Sequence, residues 1–419
     1  MLRFVASPTG NMDLDTLHIA LVNYLVSRQR NKPLLVRIDD TEKEDVIEGK
    51  DTEIIEILKK FAINHERTCH QSEYLHHYQT LAIRLLKEKK AFICTCNSID
   101  CNQICLSRDQ NNYDQLKESG EPFTIRIRKP DEDIVYRDTI QDKVITAPHK
   151  IGNFIILQND ATPTSSFATA CADILNGVDL IIESTQKIHE TAKQVYIKKL
   201  LGYHEACCYA HLPSLLNSKG KPLVEDDNFS LLRLFSDGFI PDAIINNLLL
   251  LHITDFPKEI FYFSEMVEWF KLEEAPKEPM VFDIKKLRHI NRMHLRMMDD
   301  KQLSILFGFA DTDIGKLAKL YLDEAATINE LATKIRPILA PKVFEGAWAK
   351  QMRQIQQVLI DAPMFDTFDE LEAYVIQKTN LRHEKLDTPL RLLLTGTQQG
   401  PNLQDVYTYI RSYLLEVIS

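Results

Sequence analysis

Four cysteines, Cys94, Cys96, Cys101 and Cys105, fall within twelve residues and are half of the eight in the chain. Clustered thiols more often mean a metal than disulfides in a chain of this type. Four thiolates suit tetrahedral zinc in a structural role, because four protein ligands leave no open position for a substrate. The spacing C-x-C-x4-C-x3-C is not that of a standard finger, so free thiols stay open as the alternative. A second constellation lies at the N-terminus. Arg3 sits in an apolar run that ends in Ser7-Pro8-Thr9-Gly10, and Asp13, Asp15 and His18 follow within eight residues of that turn. A strand that turns into a helix N-terminus presents unpaired backbone N–H groups, which suit a nucleotide or another anion. A third candidate is the polar stretch 217–230, NSKGKPLVEDDNFS, where Lys221 is a cation for phosphate.

Such groups work only if a frame holds them. Residues 1–10 read as a short strand entering a turn. Residues 16–29 carry Leu17, Leu21, Tyr24 and Leu25 at helical spacing, with Thr16 or Asp15 as a cap. LLVRI at 34–38 is a second buried strand, closed by Asp39-Asp40-Thr41-Glu42. Strand, turn, helix, strand is one βαβ unit, whose first turn is where such folds hold nucleotides.

Residues 49–62 and 74–90 read as amphipathic helices. EPFTIRIRKP and DIVYRDTIQDKV alternate as half-buried strands do; Arg126, Arg128 and Lys129 there either face phosphate or are ordinary outward residues. FIILQND and VDLIIES read as further strands of the central sheet. SFATACADILNG, ending at Gly177, and TAKQVYIKKLLG read as helices. From about residue 230 the pattern is almost wholly helical.

At 419 residues the expectation is two to four domains. The 44% hydrophobic and 26% charged content is that of a soluble globular protein. No apolar run approaches the roughly 20 residues needed to span a bilayer, and a strand rather than a signal sequence opens the chain, so a cytoplasmic location with no membrane partner is expected. A net charge of −10 argues against a general nucleic-acid coat but leaves room for a basic face. Lys/Arg clusters at 187–199 and 285–296 offer such faces, or are solvated helix surfaces.

RFVASPTG followed by VRIDDTE resembles the class I glutamyl-tRNA synthetases, whose matching stretches usually read RFAPSPTG and RIEDTD. The resemblance continues through ATPTSSFATACADILNGVD, AHLPSLLN, FSDGFIPDAIINNLLLL, VFDIKKLRHIN and PLRLLLTGTQQGP, in family order over nearly the whole chain. It implies a Rossmann-type α/β catalytic domain at 1–75 and 155–215. An α+β insertion that meets the tRNA acceptor end and carries the cysteine cluster would span 76–154. A helical stem-contacting region at 216–295 and a helical anticodon-binding domain at 296–419 would follow. It also implies tRNA, L-glutamate and ATP with Mg2+ as ligands. Some members hold zinc in this insertion; their C-x-C first half is matched here and their more distant C-x-H second half is not.

The catalytic motifs depart from the family. Asp13, Leu14 and Asp15 stand where HIGH has its first histidine, isoleucine and glycine, and His18 falls where the family has arginine. Gly220-Lys221-Pro222-Leu223-Val224-Glu225 replaces the phosphate-clamping loop named KMSKS. A carboxylate about 4 Å from a triphosphate costs on the order of 4 kcal/mol at an effective dielectric of 20. In the amino-acid pocket Arg3 matches the arginine that pairs with the substrate's side-chain carboxylate, or else forms an ion pair with Asp39 or Glu183. Ser7 and Asp39 match positions near the amino acid; Ser165 replaces a tyrosine and Glu183 an arginine; Asp173, Thr191, Lys193 and Gln194 keep the family's letters.

These readings predict a tRNA-binding member of the family with adenylation weak or lost, partnered with an active glutamyl-tRNA synthetase or a tRNA-dependent amidotransferase. A working glutamate–tRNA ligase that uses His18 or Lys221 as substitutes is the alternative. Glutamyl transfer to a non-tRNA acceptor is the third.

Overall fold

Apolar runs too short for helices and buried on both faces make parallel strands, and three such runs, LRFVA, LLVRI and LIIES, lie at the centre of the large sheet. The computed structural model describes residues 1–42, 44–96, 103–203, 207–223, 229–252 and 258–419. Elements in order are β1 (Leu2–Ala6), α1 (Leu14–Gln29), β2 (Leu34–Ile38), α2 (Lys50–Lys60), β3 (Arg67–His70), α3 (Leu75–Lys87) and β4 (Ala91–Cys94). Then come α4 (Gln110–Ser119), β5 (Thr124–Ile127), β6 (Ile134–Asp138), β7 (Asp142–Thr146), α5 (Pro148–Ile151), β8 (Phe154–Leu157) and α6 (Ser165–Leu175). β9 (Leu180–Ser184), α7 (Ile188–Leu200) and β10 (Cys208–Leu212) complete the sheet region.

The large sheet runs β3-β2-β1-β9-β10-β6-β7, parallel throughout except for the β6–β7 hairpin. The hairpin, which the sequence reading groups with the insertion, extends this sheet because Tyr209 of β10 pairs with Asp138 of β6. Only β4, β5 and β8 form a separate, antiparallel sheet. Helix α1 is buried nearly all round, as a helix enclosed by other elements must be. Its cap is Asp13, not Thr16 or Asp15: the Asp13 carboxylate accepts the N–H of Thr16 at 2.7 Å, three residues on, where a first-turn donor needs an acceptor.

The chain forms two compact units. One holds residues 1–233 with 245–283 and contains both sheets and a two-stranded parallel pair, β11 (Leu215–Leu216) with β12 (Met280–Val281). The other holds 234–244 with 284–419 and is built of helices, as the three- and four-residue apolar spacing predicts. There Asn291 is wholly buried, and its side chain accepts from Ile240 N–H and donates to Ala326 C=O. No helix among the described residues is long and apolar enough to cross a membrane.

Candidate functional site

The carboxyl ends of β1, β2 and β9 open onto a cleft of about 980 Å3. This is where an open parallel sheet places its ligand. Ser7 leaves β1, Asp39 leaves β2, and Glu183 and Ser184 end β9; all four line the cleft. The start of α1 adds Asp13, Asp15 and Thr16, α6 adds Ser165 and Ser166, and α7 adds Glu190, Thr191, Lys193 and Gln194. Arg126 of β5, which is buried, lines it too.

The end of the cleft at the start of α1 is acidic. Asp13 is engaged as the α1 cap. Asp15 accepts the Leu215 N–H at 2.8 Å. Burial pushes the Asp15 carboxyl up to about 6, the Leu215 bond lowers it, and nearby Asp13 raises it further. Glu42 also faces the cleft. His18 does not: it is buried, with its Nε2 2.6 Å from Nε2 of His252. Burial lowers His18 to about 4 and takes His252 well below the usual range. The position of His18 explains this, for it lies on the inward side of a helix buried nearly all round. Lys221 is exposed, its N–H bonded to the Asn217 side chain, and is not among the cleft-lining residues. Glu225 and the acidic pair after it lie outside the described residues.

Beneath the cleft, at β1 and β2, lies a buried charge cluster. Arg3 and Arg37 share a sheet face because β1 and β2 run in parallel register, Arg3 opposite Leu35 and Val5 opposite Arg37. Asp173 of α6 receives Arg3 Nε at 3.2 Å, Arg37 at 2.9 Å and Lys198 Nζ at 3.2 Å. Burial pushes the Asp173 carboxyl up, but Arg3, Lys198 and Arg37 outweigh it and hold the group well below the usual carboxylate range. Glu183 Oε1 stands 2.9 Å from Arg3 Nη1. Arg3 therefore pairs with Asp173 and Glu183, not with Asp39. Asp39 instead accepts from Ser165 Oγ at 2.5 Å and from Thr41 Oγ1 at 2.8 Å. Lys193 pairs with Glu190, which also accepts from Ser166.

Sequence reasoning missed three participants. Arg37 and Lys198 read as a strand residue and part of a basic cluster, and only the packing of α7 on α6 sends Lys198 inward. The third is a buried chain in which Asp138 Oδ2 meets His211 Nδ1 at 2.6 Å and His211 Nε2 meets Thr191 Oγ1 at 2.8 Å. It ties α7 to β10 and to the hairpin. The second basic cluster is partly paired, Arg288 with Glu330 and Arg296 with Asp323.

The sulfur atoms of Cys94, Cys96 and Cys105 lie within 4.8 Å of one another, close enough for one metal ion. Strand β4 places Cys94, and the sulfur atoms of Cys96 and Cys105 lie 3.3 Å apart. Cys101 lies outside the described residues.

Residues 1–104 and 97–289 match the family model described as tRNA synthetases class I (E and Q), catalytic domain. The chain is 50% identical to "Glutamate--tRNA ligase 2" of Sulfurovum sp. (strain NBC37-1) over the full length of both. It is 40% identical to "Glutamate--tRNA ligase 2" of Sulfurimonas denitrificans, again over the full length of both. Among solved structures, a glutamate tRNA ligase from Elizabethkingia meningosepticum, crystallised in complex with its amino acid, superposes with a TM-score of 0.81 at 21% identity. That likeness covers 99% of this chain and 97% of the other, and concerns the fold alone.

Proposed function

We propose that this chain, which belongs to the glutamyl-tRNA synthetase family of class I, binds tRNA and has lost most or all of the adenylation step. The observation that carries the reading is the pair Asp13 and Asp15 at the N-terminus of α1. Adenylation is an attack on the ATP α-phosphate, and charge grows on phosphate oxygens during it. Catalysis therefore depends on fixed donors and cations at that spot. Here the spot carries carboxylates, and the candidate substitutes face elsewhere. His18 is bound to His252 in the core, and Lys221 is exposed on its loop.

What the family's architecture supports is retained: the α/β sheet, the antiparallel insertion sheet and the helical second unit. The chain acts in this reading as a binding or regulatory member in the cytoplasm, working beside an active glutamyl-tRNA synthetase or a tRNA-dependent amidotransferase. Cys94, Cys96 and Cys105, with Cys101 as the fourth thiol, would hold a structural zinc ion that supplies no chemistry to the cleft.

ATP–pyrophosphate exchange with L-glutamate tests the lost step, and a rate at the level of an ordinary synthetase would end the reading. Filter retention of total tRNA at rising salt tests the other half. Phosphate contacts make such binding fall with salt, so absence of salt-sensitive retention counts against it. The names of the full-length relatives favour a second reading, a working glutamate–tRNA ligase; the same exchange assay separates the two.

A further inference from the structure

Arg3 is wholly buried and is not among the residues that line the cleft, whereas Glu183 is, with 16% of its side chain exposed. Glu183 thus stands between the guanidinium and the cleft. From Leu2 opposite Leu180, Arg3 lies one residue on and Glu183 three, so both side chains share one face of the sheet. The Arg3 Nε edge is taken by Asp173. The other edge is not: neither Nη1 nor Nη2 has an aligned hydrogen-bond acceptor among the described residues, although the Glu183 carboxylate lies 2.9 Å from Nη1. A guanidinium fork of this kind is the standard receptor for a carboxylate. Charge points the same way. Among the described residues the carboxylates paired with Arg3, Arg37 and Lys198 are Asp173 and Glu183, and without Glu183 three buried cations would share one carboxylate. A buried cation left without an anion is costly.

We propose that Glu183 is an internal ligand, a carboxylate of the chain's own that fills a carboxylate-binding site on Arg3. Glu183 is then the residue that decides which ligands the cleft takes. It turns away molecules with a side-chain carboxylate and leaves the cleft to neutral or cationic ones. Removing its carboxylate uncovers a site for small carboxylates, L-glutamate among them. The proposal rests on reading this cleft as one that has given up glutamate activation.

The test uses the full chain as wild type, Glu183→Ala, Glu183→Gln and the double variant Arg3→Met/Glu183→Ala. Each is titrated with sodium acetate and with L-glutamate by calorimetry and thermal shift, against sodium chloride of equal ionic strength and L-glutamine. Expected is carboxylate binding by Glu183→Ala about ten- to a hundredfold tighter than by wild type, the range for a hydrogen bond to a charged group. The gain should vanish in the double variant and not appear with chloride. A folded Glu183→Ala with no carboxylate-specific gain overturns the proposal, as does wild type that binds L-glutamate as tightly as the variant. If Glu183→Ala is unfolded in chloride, recovery of its fold by acetate supports the proposal. If it stays unfolded in both, Glu183→Gln decides, and no gain there overturns it. Failure of wild type to retain tRNA would sink the proposed function without touching this result.

Discussion

The Asp15 carboxylate accepts the backbone N–H of Leu215 at 2.8 Å across two hundred residues of sequence. It thereby fastens the start of α1 to the strand that leads into the loop at 217–230. The bond holds in either protonation state, because a neutral carboxyl still offers its carbonyl oxygen. Charge on Asp15 is what the site resists: burial raises its pKa from 3.8 to about 6. A raised carboxyl binds more protons in the folded chain than in the unfolded one. Its contribution is therefore fully present below 3.8 and is lost as the pH rises to about 6. Asp15→Asn keeps the acceptor and removes the charge. It should stabilise the protein by about 1–3 kcal/mol at pH 7.5 and change little at pH 4. Urea unfolding at the two pH values checks this; an equal effect at both contradicts it.

On the proposed reading, Asp13 and Asp15 together set the affinity for nucleotide. Asn caps a helix as well as Asp does, so Asp13→Asn removes charge without loosening α1. Asparagine at 15 removes the other carboxylate and keeps the acceptor for the Leu215 N–H. The double variant Asp13→Asn/Asp15→Asn should bind ATP–Mg2+ at least about tenfold more tightly than the unaltered chain, a conservative share of the Coulomb term. Calorimetric titration measures it. Unchanged affinity would mean that the carboxylates do not face the phosphates.

The His18–His252 pair makes the fold sensitive to acid. His18 is held down to about 4 by burial, against 6.5 when unfolded. Its contribution is intact above 6.5 and is lost as the pH falls from 6.5 towards 4, about 3 kcal/mol over that range. His18→Leu alone leaves the His252 ring nitrogens buried without that partner and should cost about 1–3 kcal/mol at pH 7.5. His18→Leu/His252→Leu should recover part of that loss and lose less stability between pH 7.5 and 5 than the unaltered chain. Urea midpoints for the four proteins form the cycle, and strict additivity of the two single changes would refute the coupling.

Local pattern carried the sequence reading far. LRFVA, LLVRI and LIIES are apolar enough to be strands, and the residues that follow each of them line the cleft. Partners distant in sequence were the part that pattern does not hold. Of the two anions that the sequence offers Arg3, Glu183 pairs with it and Asp39 does not, and Asp173 also reaches it from α6, 170 residues away. His18 looked available because its neighbours in sequence belong to the cleft, but a helix turn points it to His252, 234 residues on. Helical spacing offers Thr16 or Asp15 as the cap, and the resemblance sets Asp13 where a catalytic histidine belongs. The capping role of Asp13 depends on the exact start of α1, the feature periodicity fixes least well.

The cysteine cluster yields the last prediction. Three sulfur atoms within 4.8 Å of one another suit a metal, and Cys96 and Cys105 lie 3.3 Å apart, farther than the about 2 Å of a disulfide. Thiolates crowded this closely repel one another unless a cation lies between them, so metal should stabilise the fold around β4. Purified protein should contain about one zinc per chain. Cys105→Ser should lose most of it, and Cys69→Ser, a change at a buried cysteine of another strand, should keep it. Metal analysis by mass spectrometry reads the content. Chelation should lower the thermal midpoint of the unaltered protein and leave that of Cys105→Ser where it was. Zinc-free protein with an unchanged midpoint would return these cysteines to the role of ordinary thiols.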